Sequence, residues 1–241
     1  MPSERGLARS RQLLQAFRVE QSDPAAAYAV FGADAADTLG RFVPLDGAVI
    51  VDVGGGPGHT AEALRARGAH AVTVDPSTAE LCLHGREPVG AVAADGCRLP
   101  FADGAVDVCC TFNAVEHVPE PHRLLGEAVR IVRPGGLVFV GVTNWFSPWG
   151  GHETSPWHYL GGERAARRYE RRHGRPPKNR WGESLFRIDV GQLLRWARAE
   201  PRVRVLDAFP RYYPSWCRPL VRVPGVREVL TWNLGLALER W

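Results

Sequence analysis

Residues 49–60, VIVDVGGGPGHT, limit what this chain can fold into more than any other stretch. Val49 to Val53 are apolar apart from Asp52 and read as a short buried strand. A glycine cluster follows, and a helical pattern begins at Thr60 and runs through Ala61, Ala63 and Leu64 to Arg67. A strand that stops in glycines at a helix N-terminus is a seat for a nucleotide-like ligand. Glycine turns the backbone through positive φ and lets a ligand approach main-chain N–H groups with no Cβ in the way.

Spacing separates two cofactors. A dinucleotide fingerprint needs G-x-G-x-x-G, and here His59 stands where the third glycine belongs. The chain has instead acid-x-G-x-G-x-G, from Asp52 through Gly54, Gly56 and Gly58. This resembles the first motif of class I S-adenosylmethionine-dependent methyltransferases, and the likeness continues downstream. A second strand, Ala71 to Val74, ends in Asp75-Pro76, about 20 residues past the glycines, where a doubly wound sheet sets the end of its second strand beside the first. The resemblance implies that Asp75 accepts both ribose hydroxyls, with Pro76 in the same cofactor-binding set. The third strand, Gly90 to Ala94, runs into Asp95-Gly96. An acid here, in the family, bonds the adenine amino group, and Gly96 or Cys97 offers a backbone amide to the ring.

The stretch 99–107, LPFADGAVD, is similar to the "LPF-x-D-x-S-FD" turn of the ubiquinone and menaquinone methyltransferase branch, with Ala105-Val106 in place of Ser-Phe. It delivers the chain into a fourth strand, Val108 to Phe112. Residues 113–119, NAVEHVP, match the family's E-H-V turn at the sheet edge where ligands of open α/β sheets sit. The resemblance makes Asn113 a candidate for the methionine part of the cofactor. His117 is a candidate general base, since an imidazole pKa of about 6.5 suits proton removal near neutrality. In many relatives this His only holds the turn, and both roles stay open. A helix from Pro121 to Val132, a stop and tight turn at Arg133-Pro134-Gly135-Gly136, and a fifth strand from Leu137 to Val142 follow.

From residue 143 the common pattern ends, and 144–187 form an excursion where a plain methyltransferase has a short loop and helix. It carries Trp145, Phe146, Trp149, Trp157, Tyr159, Tyr169, Trp181 and Phe186, an aromatic content at odds with disorder. The words GGHE (150–153), WHYLGG (157–162) and PKN (177–179) resemble a narrower bacterial branch whose substrate is unknown. The excursion is expected to fold over the active-site edge and build the acceptor pocket. His152, Glu153 and His158 are its catalytic candidates, with a His–carboxylate pair removing a hydroxyl proton. The alternative is that they cap loop backbone and never meet substrate. Their spacing is not the H-E-x-x-H of a metalloprotease, and no metal is expected.

Charge bears on partners. Residues 161–187 hold nine Arg or Lys against three Glu, a local +6 in a chain of net +4, so the remainder is close to −2. Arg164, Arg167, Arg168, Arg171, Arg172 and Arg175 fall at helical spacing, with Lys178 beyond them. Such a face reads first as a solvated helix, with anionic lipid or a phosphate- or carboxylate-bearing acceptor as its other uses. Nucleic acid is not expected. The loop with Tyr212, Tyr213 and Trp216 reads as core packing, with peripheral lipid contact as the other use.

The ends match only in pattern. Residues 7–19 place Leu7, Leu13, Leu14 and Phe17 on one helical face, and a second helix follows the Asp23 cap and Pro24. Glu20, Gln21 and Tyr28 are candidates to line the pocket from above. Asp189 caps a helix over 190–199, strands follow at 203–209 and 234–238, and a short helix spans 226–232. The last strand, as in the family, is expected antiparallel between the fifth and sixth. Five cysteines at irregular spacing read as reduced and buried, and Met1 to Arg11 has no secretory core, so the expected location is cytoplasmic.

The sequence therefore implies one α/β domain over 1–241, a doubly wound, mostly parallel seven-stranded Rossmann-like sheet. Its parts are a helical cover (1–45), a cofactor half (46–142), an acceptor-side excursion (143–188) and a C-terminal helix and strands (189–241). The implied activity is methyl transfer from S-adenosylmethionine, with O-methylation of a small-molecule or glycan- or lipid-linked acceptor leading. C- or N-methylation of a quinone-like or amine acceptor, a nicotinamide oxidoreductase, disfavoured by His59, and a non-catalytic cofactor-binding module are the rivals.

Overall fold

The computed structural model describes residues 6–19, 23–85 and 89–241; Glu20 and Gln21 lie outside them. Seven strands form one sheet: β1 (Val49–Val53), β2 (His70–Asp75), β3 (Ala91–Ala93), β4 (Val106–Phe112), β5 (Val132–Thr143), β6 (Val203–Pro210) and β7 (Asn233–Arg240). Their order is β3-β2-β1-β4-β5-β7-β6. β7 runs antiparallel to both neighbours, with Leu236 opposite Val140 and Ala208. The β3-to-β5 pairings are all parallel. The order reverses between β1 and β4, which opens a crevice at their carboxyl ends.

Alternation along the central strands builds two cores. Val51, Val53 and Cys109 face one side and pack with α5 (Pro121–Ile131) through Leu124, Leu125 and Ala128, and with α7 (Val190–Ala199) through Leu193 and Leu194. Ile50, Val108 and Cys110 face the other and meet Ala36 and Leu39 of α2 (Pro24–Leu39), and Ala61 and Leu64 of α3 (His59–Arg65). Period-2 side-chain direction in strands sends neighbouring residues to opposite faces, so near-continuous apolar runs mark a sheet covered on both sides. Truncating a fully buried leucine such as Leu125 to alanine typically costs about 2–5 kcal/mol.

The helix caps act as the sequence implies. Asp23 accepts from the Ala26 amide at 3.1 Å, and Asp189 from the Gln192 amide at 2.8 Å. The short α4 (Thr78–Leu81) is capped by Ser77. α1 (Leu7–Val19) packs through Leu13, while Leu7 is exposed, so the apolar face is shorter than its spacing suggests. Arg9 of α1 and Arg211 just past β6 both pair with the buried Asp34 of α2, at 2.6 and 3.2 Å. This triad ties the N-terminal cover to the sheet.

Three expectations change. The Arg133–Gly136 stretch is not a turn before β5 but a bulge within it. Val106 pairs with Val132 and Val108 with Leu137, and Gly135 takes φ +76° in the slack. A Cβ at Gly136 would sit 2.6 Å from the Asp107 carbonyl oxygen, so the strand closes up only with glycine there. Residues 215–222 form a 3₁₀ segment rather than a plain loop. Of the five cysteines, Cys82 is exposed and Cys97 half-buried; all are free. Among the described residues no helix is long and apolar enough to cross a membrane.

Candidate active site

The glycine elbow between β1 and α3 is held from three sides. Gly54, Gly56 and Gly58 take φ values of +73°, +47° and +79°, a region L side chains avoid. The Gly54 amide donates to the Val74 carbonyl of β2 at 2.7 Å. A Cβ at Gly54 would collide with Ala114, whereas one at Gly56 would meet nothing within 4 Å. The first glycine therefore lets the β4 turn approach, and the second faces open space. From above, His59 at the start of α3 stacks on Tyr28 of α2, 5.4 Å between centroids and 7° apart.

Asp75, at the end of β2, accepts from the Gly56 amide at 3.3 Å and the Ser77 amide at 2.9 Å. A carboxylate has about four lone-pair sites, so two remain for a diol. Pro76 follows directly in the turn to α4. Asp95, exposed beyond β3, accepts from the Cys97 amide at 2.8 Å. That amide is therefore engaged and not offered to a ring. Gly96 is buried, and a Cβ there would press on Val53 and Leu124. A cradle open at Gly56, a carboxylate with spare capacity beside it and a second acid at the next strand end fit an adenosyl ligand lying across β1, β2 and β3.

Two of the cofactor candidates are placed otherwise. Asp52 is 1% exposed and lies beneath the elbow, where a Cβ at Gly55 would collide with its Oδ2 and with Thr73. Its Oδ1 accepts a weak bond from the Cys110 thiol at 3.8 Å. Burial pushes its pKa up to about 7, the weak Cys110 bond offsetting part of the shift and the Asp75 charge adding to it. Asp52 thus supports the loop from below and does not line the crevice. Asn113 closes β4 with φ +56°, a conformation Asn tolerates. Its side chain donates to the Tyr212 hydroxyl at 3.2 Å and accepts from Asn233 at 2.6 Å. The amide is turned into a polar network with β7 and not toward the elbow.

Asp52 carries a pH prediction. A folded-state pKa above the ordinary carboxylate value of about 3.9 means that the native state holds this proton more tightly than the unfolded chain. The stability it contributes is complete below about pH 4 and is lost as pH rises through about 7. Asp52→Asn is expected to flatten that decline and to raise stability at pH 8 by roughly 2 kcal/mol, half the ceiling such a shift sets, because the loop relaxes. Urea unfolding of both proteins at pH 5 and pH 8 checks it; an equal difference at both pH values would contradict it.

The catalytic candidates divide. Residues 113–117 close β4 directly beside Gly54, and His117 Nδ1 lies 2.6 Å from the Ser184 carbonyl of the excursion. The carbonyl only accepts, so Nδ1 carries the proton and donates, leaving Nε2 with a lone pair. His152, at φ +49°, sets its ring 5.1 Å from that of His117. Burial, then the neighbouring His117 and His158, push its pKa down to about 3, so its ring is neutral at physiological pH. Glu153 instead accepts from the Asn179 side-chain amide at 3.0 and 3.1 Å. His158 is buried against Trp145 and Tyr159, and its Nδ1 is 3.4 Å from Ser155 Oγ. These two hold the excursion together and are not gathered at the β4 turn.

Glu116 was not singled out by sequence and belongs to this cluster. It is 1% exposed, and one carboxylate oxygen accepts from the Thr143 amide at 2.9 Å. Desolvation raises its pKa. The E-H dipeptide was the available signal, but the flanking Val115 and Val118 make the acid read as the outer face of a turn.

The excursion crosses the crevice. Lys178 pairs with Glu80 of α4 at 3.0 Å, and the Phe186 amide donates to the Glu116 carbonyl at 2.8 Å. Its three sequence words are mutual packing devices: Gly151 lies against the His158 ring, Gly162 against Trp181, and Asn179 holds Glu153. The arginines lie on α6 (Gly162–His173), which ends at Gly174 in the left-handed region. Arg168 stacks on Trp157, 3.9 Å from its ring centre. Tyr212 is buried, as core packing requires, whereas Trp216 is 72% exposed.

Comparison with known proteins agrees with this architecture. A methyltransferase domain family matches residues 51–140. An uncharacterized methyltransferase of Mycolicibacterium gilvum (strain PYR-GCK) is 47% identical, covering 97% of this chain and 94% of its own length. One of Mycobacterium marinum (strain ATCC BAA-535 / M) is 45% identical with the same coverage. Among solved structures, an S-adenosylmethionine-dependent methyltransferase from Mesorhizobium loti superposes with a TM-score of 0.58 at 16% identity, covering 85% of this chain and 96% of that one. A geranyl diphosphate methyltransferase in complex with GPP and sinefungin superposes with a TM-score of 0.58 at 18% identity, over 90% and 80%. At those identities the structures speak for the fold, and the mycobacterial relatives for the family. Sheet order, elbow and full-length relatives together make this chain a member of the class I S-adenosylmethionine-dependent methyltransferases.

Proposed function

We propose that the protein transfers the methyl group of S-adenosylmethionine to a hydroxyl oxygen of a small-molecule or glycan- or lipid-linked acceptor. The observation that carries this reading is the group Glu116, His117 and His152, gathered at the end of β4 next to the elbow where the donor fits. The sulfonium supplies its own leaving group, so the chain's task is to align a nucleophile behind the methyl and to exclude water. Asp75 and the elbow amides orient the donor, and the excursion covers it. An oxygen nucleophile also has to lose a proton, which an amine free base does not, and the His117 imidazole with the Glu116 carboxylate beside it is suited to that step. His152, too weak a base at a pKa of about 3, packs against the His117 ring.

Arginines on α6 suit an acceptor carrying a phosphate or carboxylate. The rest of the chain is close to neutral, so the basic charge is concentrated on this face, and its partner is read as the acceptor and not as nucleic acid. The reading is tested by incubating the protein with labelled S-adenosylmethionine and hydroxylated acceptors, then locating the methyl by mass spectrometry. Label on oxygen is expected, and His152→Ala should lower turnover roughly 10- to 100-fold while leaving S-adenosylhomocysteine affinity within about twofold. Methyl found on carbon or nitrogen would replace the oxygen assignment.

A further inference from the structure

We propose that Glu116, His117 and His152 form a binding site for one divalent transition-metal ion. One donor atom from each lies within 4.8 Å of those of the other two. Two imidazoles and a carboxylate are a ligand set for zinc, iron, cobalt or manganese, and three protein ligands leave positions open for substrate.

The surroundings of each ligand point the same way. His117 Nδ1 donates to the Ser184 carbonyl, which fixes the tautomer with Nε2 free; metal-bound histidines are oriented by this kind of bond. Glu116 is held through one oxygen by the Thr143 amide, and its Oε2 is buried with no hydrogen-bond partner among the described residues. His152 Nε2 is likewise buried and without a partner among them. A buried carboxylate oxygen left unpaired is costly, and a cation between it and the two rings removes that cost. Bonds of about 2.1 Å call for ligand separations of roughly 3.4 Å in a tetrahedral site, so modest side-chain rotations close the set around an ion.

This site lies beside the elbow and deepens the hydroxyl reading, on which its catalytic role rests; the binding of metal does not depend on it. With an ion in place Glu116, His117 and His152 would serve as its ligands and not as the base. A hydroxyl bound to the ion would be acidified by the metal charge and would give its proton to a water on one of the ion's open positions. The oxygen lone pair then forms the bond to the methyl carbon as the carbon–sulfur bond breaks, and the sulfonium leaves as a neutral thioether.

The test uses untagged full-length protein stripped with chelator and desalted. With Zn²⁺, one equivalent should be retained after dialysis; with Co²⁺, visible d–d bands should saturate at one equivalent; Mg²⁺ should bind at least 100-fold more weakly. Glu116→Gln and His152→Ala should each weaken Zn²⁺ binding at least 10-fold, while His122→Ala, on the exposed face of α5, leaves it unchanged. Absence of a saturable Co²⁺ spectrum in the unmutated protein overturns the proposal whatever the variants do. So does Zn²⁺ binding that both variants preserve. S-adenosylhomocysteine calorimetry on the same metal-free protein reads the donor site separately.

Discussion

Asp75→Ala is expected to weaken S-adenosylmethionine and S-adenosylhomocysteine binding by at least about 100-fold. A carboxylate gripping both ribose hydroxyls makes two charge-assisted hydrogen bonds, each of about 1.5–3 kcal/mol, and about 1.4 kcal/mol corresponds to tenfold. The same carboxylate fastens the elbow through Gly56 and the turn through Ser77, so its loss also loosens the cradle. Asp75→Asn keeps an acceptor without the charge and should fall between. Isothermal calorimetry of the three proteins measures this directly. A change of less than threefold for the alanine variant would remove Asp75 from the donor site and with it the adenosyl reading of the crevice.

Asp34→Ala is expected to destabilise the fold by about 3–5 kcal/mol. Arg211 is 2% exposed and its charge is paired with Asp34 at 3.2 Å, while Arg9 bonds the same carboxylate at 2.6 and 3.0 Å. Removing one member of a buried ion group leaves the others uncompensated in a low dielectric, and that costs more than the intact pair contributes. Arg211 also sits 4.4 Å from the centre of the Phe112 ring, a contact that softens the loss without replacing the charge. Urea denaturation should show the midpoint falling with an unchanged slope. A loss under 1 kcal/mol would mean that the N-terminal cover is not anchored by this carboxylate.

Legibility followed the range of the interactions. Local signals were readable: the Asp23 and Asp189 caps, the period-2 strands, and glycines at 54, 56 and 58 where positive φ is required. So was Asp75, because a parallel β-α-β unit brings the end of its second strand to the elbow at a nearly constant chain distance. What failed was the direction of individual side chains. Asp52 alternates inward beneath the loop; Asn113 turns toward Asn233, 120 residues away in sequence. The bulge at Arg133–Gly136 depends on the partner strand, which the residues themselves do not announce.

The same division separates the two halves of the site. By itself the sequence determined the donor side, since an elbow of glycines between strand and helix admits few backbones and the sheet order follows from handed, short connections. Only the tertiary structure decided the other half, which we read as the acceptor side. Glu116, His117 and His152 meet because a 44-residue excursion returns over the crevice, held by Lys178, Ser184 and Phe186. Contacts that close over such a span are set by packing across the whole molecule, and no local period encodes them.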